Sequence, residues 1–538
     1  MQNNHTNYIK NILLPCLLFS GITGILTALL IFAFRTAASA AIEASSALFA
    51  YVRTNPRLIP LLLGGAILIG LFAALILRVA PNCRGGGIPT AVAILRGRIS
   101  FYWLKSILLL FPSAILSFLG GMPLGNEGPS VQMGTAVGRG TVRCFAKKNR
   151  AWDRYIMTGG ACAGFSAATG APITGILFAV EEAHQRFSPM IFMAASMSVI
   201  SSSAFMQLLC DLTGTSTKLF NLTIDTVLPL RFIWVALTVG VICGICAILF
   251  TKFYSLGRRL IVEKLEKIPF TLKVVVVFAA VALIGIASDY CIGSGHHLID
   301  LLLEGPGVWY LLILYFCVRA IFLVLANNIG ITGGLFVPSL AFGAIIGSLC
   351  ASALIGLGLL PQEYYIVIVT LGMASFLAAS SRTPITAVTF AAEVLCGLSN
   401  IIPVIMGVTV SFLVIETVGV TAFNDIVIEG KIEEEHQKKK PRIIDTYMTV
   451  KPGSFVVGKE IRDILWPPTC VILSVDKSHA KDPNHSTGIG EGDLLHMHYQ
   501  TYDPKETQGL LEALVGTQKK KAPASMHPGS EKHHVPDL

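Results

Sequence analysis

Three stretches of this chain carry residue types suited to holding an anion without a full positive charge. Gly125-Asn126-Glu127-Gly128-Pro129-Ser130 reads as a helix start, with Pro129 at the first helical position and a bend allowed at Gly128. Gly334-Leu335-Phe336-Val337-Pro338-Ser339 repeats the design, and Gly85-Gly86-Gly87-Ile88-Pro89 offers a third start. A helix N-terminus presents free backbone N–H groups and the positive end of its dipole. Several such ends inside hydrocarbon suggest backbone dipoles converging on a dehydrated anion, which they hold without trapping it.

Glu127 is the first acid to single out. At an anion-binding helix start its carboxylate can occupy the place of a halide, and protonation frees that place, so it suits a gate and a proton carrier. On an exposed helix it would only complement the dipole; within an apolar stretch an acid is functional by default. Glu181-Glu182 ends the segment that starts at Pro172, and Glu393 is the repeat counterpart of Glu181. Glu181 and Glu393 are assigned to holding helix ends together. Glu182 has Val394 as its counterpart, and the residues alone leave it either relaying protons or facing water.

The elements that position these residues come in pairs. Residues 125–138 and 334–347 both read G-x3-P-S-x3-G-x3-G, offset by 209, and Pro172-Ile-Thr…Glu181 matches Pro384-Ile-Thr…Glu393, offset by 212. Two related halves follow, with binding sites where they meet near the midplane. The spacing leaves open whether the halves are inverted or parallel. The 538 residues are 53% hydrophobic and 14% charged, with mean hydropathy +0.67; soluble domains carry about a quarter charged residues, so one large helical membrane domain is expected over 1–430. Stretches long enough to span lie near 11–34, 59–80, 191–210, 228–251, 272–290, 308–327, 335–360 and 401–420. Shorter pieces broken by Gly and Pro lie near 85–96, 123–138, 160–183 and 372–397. Irregular backbone survives at membrane depth only where protein buries it or it lines a water-filled path. The pattern favours a transporter or channel over a receptor or anchor, and the chain is not read as an enzyme.

Lys10 precedes an apolar stretch too long for a signal-peptide core, so the first helix is expected to be retained. The formal charge of +9 comes largely from short clusters (Lys147-Lys148, Arg258-Arg259, 438–440, 519–521) that read as cytoplasmic anchors in a multi-pass protein of the cell membrane. No basic patch carries interleaved aromatics, so nucleic acid is not an expected partner. Cys243-Gly-Ile-Cys246, the only CxxC among 12 cysteines, has no second pair or nearby His and reads as packing, and no metal or cofactor is expected.

Together the three signature stretches, in this order, with the 170–182 segment after the second, resemble the CLC family of chloride channels and chloride/proton antiporters over roughly 10–430. The resemblance implies an all-α membrane fold of two inverted halves with broken helices, and a homodimer with one anion pathway per subunit. It places Glu127 on the external gating glutamate and Glu182 on the internal proton glutamate of the antiporters. It puts anion contacts at Gly86, Gly87, Ile88, Asn126, Gly128, Leu335, Phe336 and Asn424. Proton-coupled exchange of chloride or a similar small anion is therefore favoured over a gated passive channel. Three departures concern the site: Gly86 replaces a serine, Asn126 an arginine, and Asn424 stands near where a tyrosine closes the pathway. The missing hydroxyls weaken chloride as the anion, and the Gly-Asn-Glu-Gly-Pro spelling also occurs in the fluoride-exporting branch, so fluoride/proton antiport stays as an alternative.

A charged linker over 431–440 leads to a small α+β cytoplasmic domain over 441–516. Strands are expected over 443–450, 469–475 and 493–499, a short helix over 458–465, and a helix over 504–515. With Gly490-Glu491-Gly492-Asp493 it is similar to the TrkA-C domain, which implies dimerisation and a small ligand such as a cyclic dinucleotide; a dimer brace without ligand is the alternative. His496 and His498 share one strand face, suited either to metal or to solvent. The basic, polar tail 517–538 is expected to be disordered.

Overall fold

The computed structural model describes residues 14–145, 150–220, 222, 224, 226–436, 441–477 and 488–516. The lysines of 147–148, 438–440 and 519–521 and the tail 517–538 lie outside the described residues. The chain divides into a large unit ending at Glu435 and a small one from His436, with 148–151 grouped with the second.

The large unit is built from helices, because apolar chain without water must satisfy its N–H and C=O groups within each segment. They form two successive sets of eight in the same order. The first is α1 Leu14–Thr54, α2 Ile59–Val79, α3 Gly87–Leu95, α4 Trp103–Leu119, α5 Glu127–Phe145, α6 Asp153–Thr169, α7 Pro172–Phe178 and α8 Pro189–Thr213. The second is α9 Ile233–Lys264, α10 Phe270–Ala287, α11 His296–Glu304, α12 Trp309–Ile329, α13 Phe336–Gly356, α14 Tyr365–Ser381, α15 Pro384–Phe390 and α16 Ile401–Val418; α17 Phe423–His436 follows. Among the described residues nine helices are long and apolar enough to cross a membrane. Leu61, Leu68, Phe72 and Leu75 stand exposed on α2, as side chains facing lipid do, whereas α6 and α14 are buried almost throughout.

Several element boundaries differ from the sequence expectation. The first helix does not end near 34 but continues to Thr54, through an alanine-rich stretch with high helix propensity. Trp103–Leu119 forms a helix that no expected piece covered, and it contains Pro112. The expected piece 372–397 is the second half of α14 followed by α15. Residues 431–436 belong to α17 rather than to a linker, because Glu433, Glu434 and Glu435 pair there with Arg258, Arg84 and Ser100. Close packing of α5 on α6 and of α13 on α14 needs glycine: a Cβ on Gly134 would stand 2.0 Å from the Gly160 oxygen, and one on Gly343 2.5 Å from that of Gly372.

In the small unit, β1 Arg442–Thr449, β2 Val471–Asp476 and β3 Leu494–Thr501 form an antiparallel sheet in the order β1-β3-β2. Leu495, Met497 and Tyr499 of β3 face a core shared with Met448, Ile464, Leu511 and Leu514. Helix α18, Pro504–Val515, is capped by the Asp503 carboxylate, which accepts from the Lys505 and Glu506 amides. The helix expected over 458–465 is only a 3₁₀ turn, Ile461–Asp463, since a segment this short between Gly458 and Pro467 cannot offset the cost of helix nucleation. His496 is paired with Asp445 and stacked on Tyr447 at 4.2 Å.

Candidate functional site

The two halves of the large unit join at equivalent glycines. Gly125 donates its N–H to the Gly334 carbonyl at 2.8 Å, and Gly334 returns the bond to Gly125 at 2.6 Å. The pairing is antiparallel, so the chain runs in opposite directions through the junction. Here the starts of α3, α5 and α13 meet with no room for side chains. A Cβ on Gly87 would stand 2.0 Å from the Gly128 carbonyl, and one on Gly128 2.8 Å from the Gly334 Cα.

Each of these helices begins two residues before its proline, at Gly87, Glu127 and Phe336, so Pro89, Pro129 and Pro338 occupy the third position rather than the first. The reason is local: the next residue already closes the helix, with Thr90 donating to Gly86 at 3.5 Å, Ser130 to Asn126 at 3.1 Å and Ser339 to Leu335 at 3.0 Å. The proline itself has no N–H to leave unpaired. The N–H groups outside each helical ladder are therefore those of the first two residues: Gly87 and Ile88, Glu127 and Gly128, Phe336 and Val337.

Glu127 is fully buried at this junction. Its carboxylate lies against its own amide and that of Val337, yet neither oxygen completes a hydrogen bond of full geometry. The side chain curls back over Gly125, where a Cβ would stand 2.3 Å from Oε2. An acid at the meeting point of helix starts occupies the position that an incoming anion would need. Arg35 of α1 is the opposing charge in range, and its guanidinium is held by the carbonyls of Ala167 at 3.1 Å and Thr217 at 3.2 Å. Asn126 stands half-buried just before α5, its carbonyl accepting from the Ser130 hydroxyl at 2.8 Å.

The second acid cluster sits where α7 and α15 each end in one π-turn, Ala179–Ala183 and Ala391–Leu395. Glu181 accepts from the Ile385 and Thr386 amides at 2.8 and 2.6 Å and from the Thr386 hydroxyl at 2.6 Å. Glu393 accepts from Ile173, Thr174 and the Thr174 hydroxyl at 2.8, 2.8 and 2.6 Å. Each acid thus caps the equivalent helix of the other half, which is the helix-holding role expected of them. Glu182 takes no part in this exchange. Its Oε1 accepts from the Asn424 amide at 2.8 Å, and its backbone carbonyl from Arg96 at 2.9 Å.

Glu182 borders two hollows. One, of about 250 Å³, is lined by charged groups that include Arg96, Arg382, Glu416 and Asp425. The other, of about 20 Å³, reaches Ile88, Leu335 and Phe336 at the starts of α3 and α13. Glu182, Ser381, Thr383 and Asn424 line both, so the two hollows adjoin at these residues.

The structure thus brings Gly86, Gly87, Ile88, Gly128, Leu335 and Phe336 together, with Glu127 above the same junction. Asn424 is tied to Glu182, so one of its two amide hydrogens is already engaged. Sequence reasoning missed Ser381 and Thr383, whose hydroxyls meet at 2.6 Å, and Arg96 and Arg382. The signal was the polar run Ser380-Ser381-Arg382-Thr383 inside an apolar stretch. Arg382 ends α14 at φ 58°, the conformation that its repeat counterpart Gly170 adopts at φ 70°. A left-handed residue with a Cβ costs about 1–2 kcal/mol, and here the guanidinium faces the larger hollow beside Glu416 at 3.2 Å. No group of three or more His, Cys, Asp or Glu among the described residues could hold a metal ion.

Comparison with known proteins agrees with this architecture. A slow cyanobacterial Cl⁻/H⁺ antiporter superposes with TM-score 0.70 at 22% identity, over 78% of this chain and 99% of that one. A eukaryotic CLC transporter gives 0.64 at 20% identity, over 78% and 74%. A CLC-type fluoride/proton antiporter gives 0.62 at 20%, over 75% and 96%. These likenesses establish a shared fold. The family model for voltage gated chloride channels matches residues 65–416, most of the membrane unit, and on that ground the chain belongs to the voltage-gated chloride channel family.

Proposed function

We propose that the protein exchanges a small anion for protons across a membrane, with Glu127 as the outer gate and Glu182 as the inner proton acceptor. The observation that supports this reading is two acids at the converging helix starts, Glu127 fully buried and Glu182 half-buried. Glu127 lies against the N–H groups of that junction, and Glu182 borders both hollows on the far side of Ile88, Leu335 and Phe336. A passive pathway needs only the first of these acids. The anion is held by the amides of Gly87, Ile88, Gly128, Phe336 and Val337, with Gly86, Asn126, Leu335 and Asn424 shaping the passage. Chloride is the first candidate. Fluoride is the second, favoured by the absence of a hydroxyl at Gly86 and at Asn424 and by the fold shared with a fluoride/proton antiporter.

The assembly proposed is a homodimer in the cell membrane, with the small unit on the cytoplasmic side as a TrkA-C-like domain that dimerises and takes a small ligand such as a cyclic dinucleotide. Its β1-β3-β2 sheet with one capped helix suits such a module. Purified full-length protein in liposomes, given chloride, fluoride or gluconate with an internal pH probe, tests the transport reading. Proton movement locked to chloride or fluoride movement is expected; anion flux with no proton movement would leave a channel instead.

A further inference from the structure

Gly86 leaves the site without the side chain expected at the first helix start, and the space is not empty. A Cβ built there would stand 2.9 Å from Nδ2 of Asn327, with the Gly333 carbonyl and the Leu335 Cδ1 each 3.6 Å away. Asn327 lies near the end of α12 and is 5% exposed. Its Oδ1 accepts a hydrogen bond from the hydroxyl of Tyr254, a buried residue of α9 whose ring packs beside Phe423, the neighbour of Asn424. That bond orients the carboxamide: the oxygen turns to the phenol, and the nitrogen turns to Gly86. Yet Nδ2 is buried and meets no hydrogen-bond partner among the described residues. An amide nitrogen with uncommitted N–H donors thus stands at Gly86, the residue before α3.

We propose that Asn327 is an anion ligand, its Nδ2 supplying the side-chain donor that Gly86 cannot, and that Tyr254 is the positioning residue that aims it. A buried donor without a partner is costly and draws a ligand that can accept, and a small dehydrated anion beside helix-start amides is such an acceptor. Asparagine on α12 thereby replaces a hydroxyl on the α3 start. A carboxamide, like a hydroxyl, supplies a neutral donor that can hold an anion without a full positive charge. The inference rests on the anion-transport reading above and adds to it a residue outside the three glycine-rich starts.

The test uses full-length protein, with chloride and fluoride binding followed by titration calorimetry and uptake followed in liposomes. Asn327→Ala is expected to weaken anion binding on the order of tenfold or more, the loss of a hydrogen bond to a charged partner. Asn327→Asp, which keeps the shape and removes the donor, should weaken it at least as much. Tyr254→Phe should raise the apparent KM by roughly threefold while the maximal rate stays near wild type, because it frees the carboxamide without removing it. Gly86→Ser alone should weaken binding, since its side chain would meet Nδ2, whereas Gly86→Ser with Asn327→Ala should recover most of the loss. If Asn327→Asp and Asn327→Ala bind both anions as wild type does, whatever their thermal stability, Asn327 is structural and the proposal falls. If wild type itself neither binds nor moves either anion, the transport reading falls and takes this inference with it.

Discussion

Glu127 is fully buried and Glu182 half-buried, and removing the charge of each has a different consequence. In the proposed exchange Glu127 gates the junction of helix starts, so Glu127→Gln is expected to leave anion flux intact while proton movement falls to background. Glu182 borders the hollows without blocking the helix starts, so Glu182→Val should also abolish proton movement and keep anion flux. In that variant Asn424 loses its acceptor and becomes free to donate to the anion. Paired anion and pH recordings in liposomes check both, and unchanged coupling in Glu182→Val would remove that residue from the mechanism. Both acids stood out in the sequence because an acid within an apolar stretch is rare and needs a reason. The Asn424–Glu182 bond was not legible, since 242 residues separate the partners and only the fold brings them together.

At the level of elements, the reciprocal caps are the feature with measurable weight. Glu181→Ala would strip three donors on α15, and Glu393→Ala three equivalent donors on α7. Each substitution should cost on the order of 1.5–3 kcal/mol, since charge-assisted bonds to exposed and part-buried donors are lost. Thermal unfolding in detergent should show similar falls in Tm for both; a large inequality would mean that the two halves do not share the load. A second element-scale expectation concerns the α3, α5 and α13 junction. Gly128→Ala places a methyl at backbone distance from Gly334, and overpacking of about 1–3 kcal/mol or more is expected, read as lower Tm together with loss of anion binding. The helix starts could be read from Gly and Pro spacing, but their starting residue could not. Proline tolerates any first-turn position, and only the closing bonds of Thr90, Ser130 and Ser339 select the third.

For the whole molecule, the division after Glu435 separates a unit built for lipid from one built for water. Ending the chain at Lys440 removes the small unit but keeps α17 and its pairs with Arg84 and Arg258. Anion and proton movement in liposomes are expected to persist at a rate within a few-fold of the full chain, with any response to an added nucleotide ligand lost. A truncated protein that folds and carries nothing would mean that the small unit is part of the pathway.

Composition, repeat and motif order by themselves determined that this chain is a two-halved helical membrane protein with glycine- and proline-led helix starts suited to an anion, and two acids that stand out. Those properties are local or periodic: apolar length, glycine and proline spacing, and a duplicated pattern are all written along the chain. The tertiary structure decided which groups gather at the helix starts. It placed Asn327 of α12 beside Gly86 and bonded it to Tyr254 of α9, and joined the halves through Gly125 and Gly334. A lone asparagine and a lone tyrosine in apolar helices have no pattern to mark them. Their chemistry exists only once packing has buried an amide nitrogen without a partner at the place where the signature lacks a side chain.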